Sequence, residues 1–151
     1  MDDCPFCLPE TQGLSFVESD HFMAIYNRAP ILPGHSMIIP KKHLVGFLDL
    51  SPALRFEMIE LSVVAVKMLQ KTFKAKHFDW TIQEGAPAGQ TIPHLHLHII
   101  PRKEMDLPSP GDWYPLLEMA SAEGIIDSAD RPKLNRDELF AIVEKIKQAN
   151  K

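Results

Sequence analysis

The amino-acid sequence predicts an α+β fold in which a five-stranded antiparallel sheet carries its helices on one face. Three observations predict this class. There are five short stretches with strand-like patterns, one long amphipathic helix between the third and the fourth of them, and a second amphipathic helix near the carboxyl end. The 151 residues contain no linker that would divide them, so we expect a single domain over 1–151.

Each predicted strand is a short apolar run bounded by turn signals such as proline, glycine or a Ser-Asp pair. The five runs are LSFVES (14–19), HFMAIYNRAP (21–30), GHSMIIP (34–40), FDWTIQEG (78–85) and PHLHLHIIP (93–101). Between the last two lies EGAPAGQT, a glycine-rich connection that is too polar and flexible for the core.

The long helix begins after Ser51, a favourable N-cap, with Pro52 at the first helical position. Its apolar residues repeat on one face and its charged residues lie opposite, namely Leu54, Met58, Leu61, Ala65 and Met68 against Glu57, Glu60, Lys67, Lys71 and Lys74. The last helix begins at Asn135, where NRDE supplies a capping box. A short helix is expected near 115–120.

Composition and charge exclude several functional classes. The formal net charge of -4 and the sequence pI near 5.9 argue against nucleic-acid binding, which depends on excess Lys and Arg. No run approaches the roughly 18 apolar residues of a membrane span. The start, MDDCPFCLPE, lacks the basic and apolar regions of a signal peptide. We therefore expect a cytoplasmic protein with no membrane partner.

Three of the seven histidines occupy alternate positions in PHLHLHIIP. In a strand, His94, His96 and His98 project from one side and the intervening apolar residues project from the other. Such a row can bind a metal, relay protons, or present one imidazole as a nucleophile that the others hold. The strict alternation beside a glycine-rich segment favours one of these functions over a purely structural role.

The neighbouring polar residues favour phosphate chemistry. Gln83, Gln90 and Thr91 are neutral hydrogen-bonding groups, and with the backbone N–H groups of 85–89 they suit phosphate oxygens. Neutral imidazole is abundant at pH 7 and attacks phosphorus. A catalytic zinc on all three histidines stays open as an alternative. No carboxylate cluster for Mg²⁺ is evident, so this ion would accompany a polyphosphate substrate.

The stretch HLHLHII resembles the His-φ-His-φ-His-φ-φ signature of the histidine triad (HIT) superfamily. YNRAPILPGH followed by IIP, and QEGAPAGQTIPHLHLHIIPRK, resemble the fragile histidine triad (Fhit) branch of dinucleoside polyphosphate hydrolases. The resemblance runs over about 16–103, between the N-terminal C-x-x-C at 4–7 and an extension over 104–151. The Pro-Arg after the triad differs from the Gly-Gly that is typical of the Hint branch.

The resemblance implies a role for each histidine. His96 would attack the α-phosphorus of a nucleotide and form a covalent nucleotidyl-histidine, which water would hydrolyse. His98 would hydrogen-bond the transferring phosphate or the leaving group. His94 would orient the nucleophile, and His35 lies where the family has a further supporting histidine.

The resemblance also implies a substrate-binding set and a homodimer formed by joining two sheets. Asn27 would bind the ribose hydroxyls and Gln83 would contact the phosphate chain. Ile25 and Met37 would line the adenine pocket. Gly89, Gln90 and Thr91 would hold phosphate oxygens, and the adjacent Ile92 would belong to the same substrate-binding set.

The two cysteines, Cys4 and Cys7, form one C-x-x-C, a spacing typical of a metal knuckle or a redox pair. The Fhit branch lacks this motif, whereas many bacterial HIT proteins carry it. By resemblance to those proteins, His43 and His94 would complete a structural Cys₂His₂ zinc site. The redox alternative predicts a strand before the motif and a helix after it, which the sequence does not show. An inert pair is the third interpretation.

The leading hypothesis is thus a dinucleoside polyphosphate hydrolase that acts through His96. A nucleoside phosphoramidase or a dinucleotide phosphorylase on the same fold is the second interpretation. A nucleotide-binding signal module with slow chemistry is the third, and a zinc hydrolase that uses all three histidines is the fourth.

Overall fold

The structure is a computed structural model, and it describes residues 4–118 and 133–151. Its strands are β1 (Ser15–Glu18), β2 (Phe22–Tyr26), β3 (Ser36–Pro40), β4 (His77–Ile82) and β5 (Leu97–Arg102). Its helices are α1 (Pro9–Gln12), α2 (Pro52–Phe73), α3 (Trp113–Glu118) and α4 (Arg136–Ala149). Short 3₁₀ turns lie at Phe47–Asp49, Ala86–Ala88 and Pro110–Asp112. These elements confirm the predicted α+β class.

The five strands form one antiparallel sheet in the order β1-β2-β3-β5-β4. The chain leaves β3, crosses through α2, and returns as the β4–β5 hairpin, so that β5 lies between β3 and β4. His98 therefore lies inside the sheet, opposite Met37 of β3 and Thr81 of β4. This position removes the last triad histidine from solvent.

Helices α2 and α4 pack on one face of the sheet, as the sequence predicts. Ser51 caps α2 by accepting a hydrogen bond from the Leu54 N–H, and Asn135 caps α4 through a capping box. Residues from both helices share one core with the apolar residues of the histidine segment, including Met58, Leu61, Ala65, Leu139, Val143, Ile146, Leu95, Leu97 and Ile99. The apolar half of the histidine alternation thus faces the helices.

The opposite face of the sheet is covered by the N-terminal segment. Cys4 and Phe6 pack there against Met23, Ile25 and Met37 in a separate apolar cluster. All residues of β2 and β3 are buried, since the helices cover one face and this segment covers the other. Burial on both faces explains why these two strands are apolar at nearly every position.

Two predicted elements differ from those observed. Strand β5 begins at Leu97, so His94 and His96 lie before it, in a segment whose Leu95 N–H donates to the carbonyl of Leu44 at 2.6 Å. The expected helix near 115–120 is α3, Trp113–Glu118, and residues 119–120 lie outside the described residues. Within 4–118 and 133–151, no helix is both long and apolar enough to cross a membrane.

Candidate active site

A cavity of about 360 Å³ lies where the histidine segment, the end of β2 and the N-terminal segment meet. Its lining includes two triad histidines and most of the predicted substrate-binding set: His96, His98, Asn27, Gln83, Gly89, Thr91, Ile92, Ile25 and Met37. The structure therefore brings together residues that are up to 73 positions apart between Ile25 and His98. Gln90 and His35 do not line the cavity.

The imidazole of His96 has its hydrogen-bonding roles set by the backbone. Its Nδ1 lies 2.7 Å from the carbonyl oxygen of His94, an acceptor only, so Nδ1 carries the proton and donates. In the neutral ring Nε2 then holds the lone pair. Burial lowers the pKa of His96 below its usual value, which keeps the ring neutral near pH 7. A neutral, oriented imidazole on a cavity wall is a nucleophile ready for use.

A second chain of hydrogen bonds sets the roles of His98. The backbone N–H of Ile31 donates to Nδ1 of His35 at 3.2 Å, so the uncharged form of His35 carries its proton on Nε2. The Asn27 amide nitrogen, 3.2 Å from that Nε2, then donates to the Met37 sulfur at 3.8 Å instead. The Nε2–H of His35 donates to Nδ1 of His98 at 2.9 Å. His98 consequently carries its own proton on Nε2. The predicted supporting role of His35 thus has a physical basis, because it fixes His98 as a hydrogen-bond donor.

His94 is fully buried and has two contacts of different kinds. Its Nε2–H donates to the carbonyl of Pro40 at 3.0 Å, which leaves the Nδ1 lone pair directed to the two cysteines. Burial lowers the pKa of His94 below its usual value. The ring of His94 therefore suits metal binding, while its backbone carbonyl orients His96.

Two polar residues of the cavity lining, Asn27 and Gln83, differ in whether their side chains form hydrogen bonds within the protein. The Asn27 side chain accepts from the Ala29 N–H at 2.9 Å, and its Nδ2 lies 3.2 Å from Nε2 of His35. Nε2 of Gln83 is buried and, within the described part of the chain, makes no hydrogen bond. A buried donor without an acceptor costs about 1–3 kcal/mol, so Gln83 is preorganised for an oxygen of a ligand.

The glycine-rich connection is more ordered than its composition predicts. Its 3₁₀ turn is closed by backbone bonds from Ala88 and Gln90 to Gly85 and from Gly89 to Ala86. The Gln90 side chain accepts from the Gly85 N–H and donates to the Val45 carbonyl. Contacts of Gln90 and of the Gly89 N–H with phosphate oxygens stay predictions, since both groups are used inside the loop.

The predicted metal ligands Cys4, Cys7, His43 and His94 lie together, with their ligand atoms all within 4.8 Å of one another. The Sγ–Nδ1 distances are 3.4 Å for Cys4–His94, 3.5 Å for Cys7–His43 and 3.6 Å for Cys7–His94. Zinc bonds of usual length in a tetrahedron place sulfur and nitrogen about 3.6 Å apart. The donor set therefore fits a closed structural zinc site.

Burial, with the adjacent Cys4 thiol, raises the pKa of the Cys7 thiol. A bound dication reverses this effect, because coordination deprotonates a thiol. The donation from His94 to Pro40 is the kind of outer contact that orients a metal-bound histidine.

Sequence reasoning missed Phe6, which lies between the two cysteines. Its ring meets those of His94 and His96 edge-on, with centroids 5.5 Å and 5.6 Å away, and it lines the cavity. The sequence signal that indicates it is an aromatic residue between the two cysteines of the C-x-x-C motif. Such a side chain must lie close to any metal site that the cysteines form.

The chain is similar in sequence to known proteins. A bis(5'-nucleosyl)-tetraphosphatase (asymmetrical) of Schizosaccharomyces pombe is 40% identical over 83 residues, 55% of this chain and 46% of that protein. A bis(5'-adenosyl)-triphosphatase of Dictyostelium discoideum is 33% identical over 108 residues, 71% of this chain and 72% of that protein. The chain thus spans about half the length of the first relative and more of the second.

A solved structure and a family model agree with these relatives. A histidine triad nucleotide-binding protein of Sulfolobus tokodaii superposes with a TM-score of 0.71 at 26% identity, covering 97% of this chain and 91% of that one. The family model for the HIT domain matches residues 9–105, well over half of the sequence. The chain therefore belongs to the HIT domain family.

Proposed function

We propose that this protein is a hydrolase that cleaves dinucleoside polyphosphates, such as diadenosine triphosphate or tetraphosphate, at the α-phosphorus. The observation that carries the proposal is the tautomer of His96, whose Nδ1–H is held by the His94 carbonyl so that Nε2 is the nucleophile. The names of the two relatives, a tetraphosphatase and a triphosphatase, support this substrate class.

In the first step Nε2 of His96 attacks the α-phosphorus of diadenosine triphosphate. The N–P bond forms as the P–O bond to the leaving ADP breaks, and ADP keeps the electron pair of that bond. Nε2–H of His98 donates to the leaving oxygen. The ring of His96 becomes cationic in the adduct, and its Nδ1–H then makes a charge-assisted hydrogen bond to the His94 carbonyl.

In the second step water attacks the same phosphorus and the N–P bond breaks. The electron pair returns to Nε2 of His96, and AMP is released. His98 keeps its proton throughout and acts only as a hydrogen-bond donor. One proton of the water stays on AMP and the other passes to solvent, so the net reaction consumes one water and yields AMP and ADP. Dividing one difficult displacement into two assisted ones is the usual advantage of a covalent route.

The substrate is held by groups that are already in place. The buried amide of Gln83 gives the phosphate chain a donor that has no protein acceptor among the described residues. Apolar Ile25 and Met37 face the cavity beside Asn27, which suits a base with its ribose. Glu10 is the one carboxylate in the described lining, so Mg²⁺ would arrive with the polyphosphate.

The zinc that we assign to Cys4, Cys7, His43 and His94 supplies structural stabilisation in this proposal and takes part in no step. All four positions of a tetrahedral ion are filled by protein donors, so no place is left for water or substrate.

A homodimer formed through β4 is part of the proposal. This strand is an edge of the described sheet, and its Trp80 is 42% exposed. Unpaired strand edges attract a second strand, and joining two β4 edges would satisfy both. Light scattering on the purified protein is expected to give the mass of two chains, and Trp80→Glu is expected to shift it to one. A monomeric wild type would contradict this part.

The deciding experiment is the intact mass of the protein after millisecond mixing with diadenosine triphosphate. The wild type is expected to gain one adenylate transiently and to release AMP and ADP. His96→Asn is expected to form no adduct while still binding AMP. The exposed His77 of β4 gives a matched control, since His77→Asn should behave as the wild type.

Two outcomes would count against the proposal. An adduct in His96→Asn would assign the nucleophile elsewhere. Tight binding without adduct or products in the wild type would favour a nucleotide-binding module.

A further inference from the structure

The four candidate metal ligands come from three separate segments, of which two line the nucleotide cavity and the third holds a loop that lines it. Cys4 and Cys7 come from the N-terminus, His43 from the chain after β3, and His94 from the chain before β5. We propose that the metal clamps these segments together, so that metal binding and nucleotide binding strengthen each other. This inference rests on the proposed function.

The N-terminal segment is the first of the three. Pro5 and Phe6 line the cavity, and Phe6 is 7% exposed. Within residues 4–7 and their α1 contact the hydrogen bonds are local: the Cys7 N–H donates to the Cys4 carbonyl, and the Thr11 hydroxyl donates to the Pro5 carbonyl. Further along, the Gln12 amide donates to the Lys41 carbonyl at 3.3 Å. For residues 4–7 themselves, the described contacts with the rest of the fold are apolar and aromatic packing and the approach of the two thiols to His43 and His94. An ion there would hold a cavity wall in place.

The segment after β3 is the second. It is tied to the glycine-rich loop at two points, since the Val45 carbonyl accepts from Gln90 and the Phe47 N–H donates to the Glu84 carboxylate at 3.2 Å. That loop contributes Gly89 to the cavity lining. Holding His43 therefore restrains the loop that lies beside the phosphate end of the cavity.

His94 is the third connection, and it is the most direct. The same residue offers Nδ1 to the metal and its carbonyl to Nδ1–H of His96. The next residue, Leu95, is bonded to Leu44, the neighbour of His43. The metal ligands and the nucleophile therefore share one rigid piece of backbone.

Coupling of this kind is reciprocal: the factor by which metal raises nucleotide affinity equals the factor by which nucleotide raises metal affinity. Couplings between sites in one protein usually lie between about 5- and 150-fold. Because the metal would restrain three segments around the cavity at once, we expect the coupling factor between metal and nucleotide to lie inside that range rather than near one.

The test uses AMP and zinc, with no turnover. AMP affinity is measured by calorimetry for zinc-loaded and chelator-stripped protein, with circular dichroism to confirm the fold of each. Zinc affinity is measured by equilibrium competition with a chelator, with and without saturating AMP. We expect stripping to weaken AMP binding by about fivefold or more, and AMP to raise zinc affinity by the same factor.

A variant covers the case in which stripped protein unfolds. Phe6→Leu keeps all four ligands, so its zinc affinity without AMP should match the wild type. The coupling factor should fall measurably below that of the wild type, because one of the three connections is weakened. Phe16→Leu is the matched control, because Phe16 is similarly buried but lies in the core on the helix side. It should keep the coupling.

Each remaining outcome overturns one specific claim. Equal AMP affinity with and without zinc, or full coupling in Phe6→Leu, overturns the clamp, as does failure to bind zinc. Failure of zinc-loaded protein to bind AMP overturns the proposed function instead.

Discussion

Replacing His35 by leucine tests the assignment of His98 as a hydrogen-bond donor while leaving every residue that lines the cavity unchanged in sequence. His35 is fully buried and links the Ile31 N–H to Nδ1 of His98 through bonds of 3.2 Å and 2.9 Å. Leucine has a similar volume and no polar atoms. The substitution therefore removes the hydrogen-bond relay while leaving little empty space.

The expected loss of stability follows mainly from two of the contacts of the His35 ring, those with His98 and Ile31, because the Asn27 amide also lies within reach of the Met37 sulfur. His98 is only 5% exposed, so its Nδ1 cannot easily find water, and a buried polar atom without a partner costs about 1–3 kcal/mol. The Ile31 N–H is half-buried and loses a bond of about 1 kcal/mol. We expect the free energy of unfolding to fall by about 2–4 kcal/mol, which leaves a typical domain folded.

The expected loss of activity depends on the leaving group. Adenosine 5'-phosphate esters of phenol and of p-nitrophenol differ in how much the departing oxygen needs a hydrogen-bond donor. With His98 no longer held as a hydrogen-bond donor, the phenyl ester should lose about 10²–10³-fold in kcat, the range for loss of one preorganised donor to a developing anion. The nitrophenyl ester should lose about tenfold, from misorientation alone.

Ser36→Ala is the matched control for this prediction. The Ser36 hydroxyl is fully buried on the same strand and donates to the Gly34 carbonyl at 2.9 Å, so its loss also removes one buried hydrogen bond. It should lower stability without discriminating between the two esters. Equal losses of kcat for both esters in His35→Leu would refute the reasoning about His98.

Three further predictions concern single residues. Gly34→Ala should destabilise the fold by about 2–4 kcal/mol in urea unfolding. Gly34 has φ +92°, and an added Cβ would lie 2.6 Å from a proline side chain. Gly111→Ala is the control and should change stability little, because the space around Gly111 is open. The hydrogen bond from Arg102 lowers the pKa of Asp106, so this carboxylate stabilises the fold above its ordinary pKa near 4 and the contribution is lost as pH falls. Asp106→Asn should therefore lower stability at pH 7 and flatten the loss of stability as pH falls below about 4, and an unchanged acid limb would contradict the assignment. Gln83→Leu should weaken AMP binding by about tenfold or more while the stability of the free protein is kept, because the amide it removes has no partner in the described chain; a large loss of stability would contradict this.

The sequence pattern predicted which side chains lie on each face of the sheet, because successive side chains of a strand can point only to one face or to the other. Once Leu95 and Ile99 faced the helices, His96 and His98 had to face the other way. The same alternation could not locate the start of β5, since an extended chain shows it whether or not a neighbouring strand pairs with it. The pairing ended at Leu97 because Leu95 bonds to Leu44 instead, a contact between distant parts of the chain.

Side-chain partners across loops were the least predictable part of the site. Gln90 has the right chemistry for a phosphate ligand, yet in the structure it closes its own loop and holds Val45. The partner with which an amide side chain forms its hydrogen bond depends on distances of a few tenths of an ångström. The pattern of residues in a sequence does not specify such distances. By contrast, the gathering of Cys4, Cys7, His43 and His94 followed from the resemblance, and the distances between their atoms agree with it.

In the row of three buried histidines, each ring has one nitrogen held by a hydrogen bond inside the protein. The Pro40 carbonyl fixes His94, the His94 carbonyl fixes His96, and the Ile31 N–H fixes His98 through an intervening imidazole. Three charged rings at this spacing would repel, whereas burial lowers the pKa values of two of them. A neutral ring with one nitrogen hydrogen-bonded has one role left at the other nitrogen. The bonds that make burial tolerable therefore leave each ring the atom that its proposed role needs: a lone pair for the metal at His94, a lone pair for phosphorus at His96 and an N–H for the leaving group at His98.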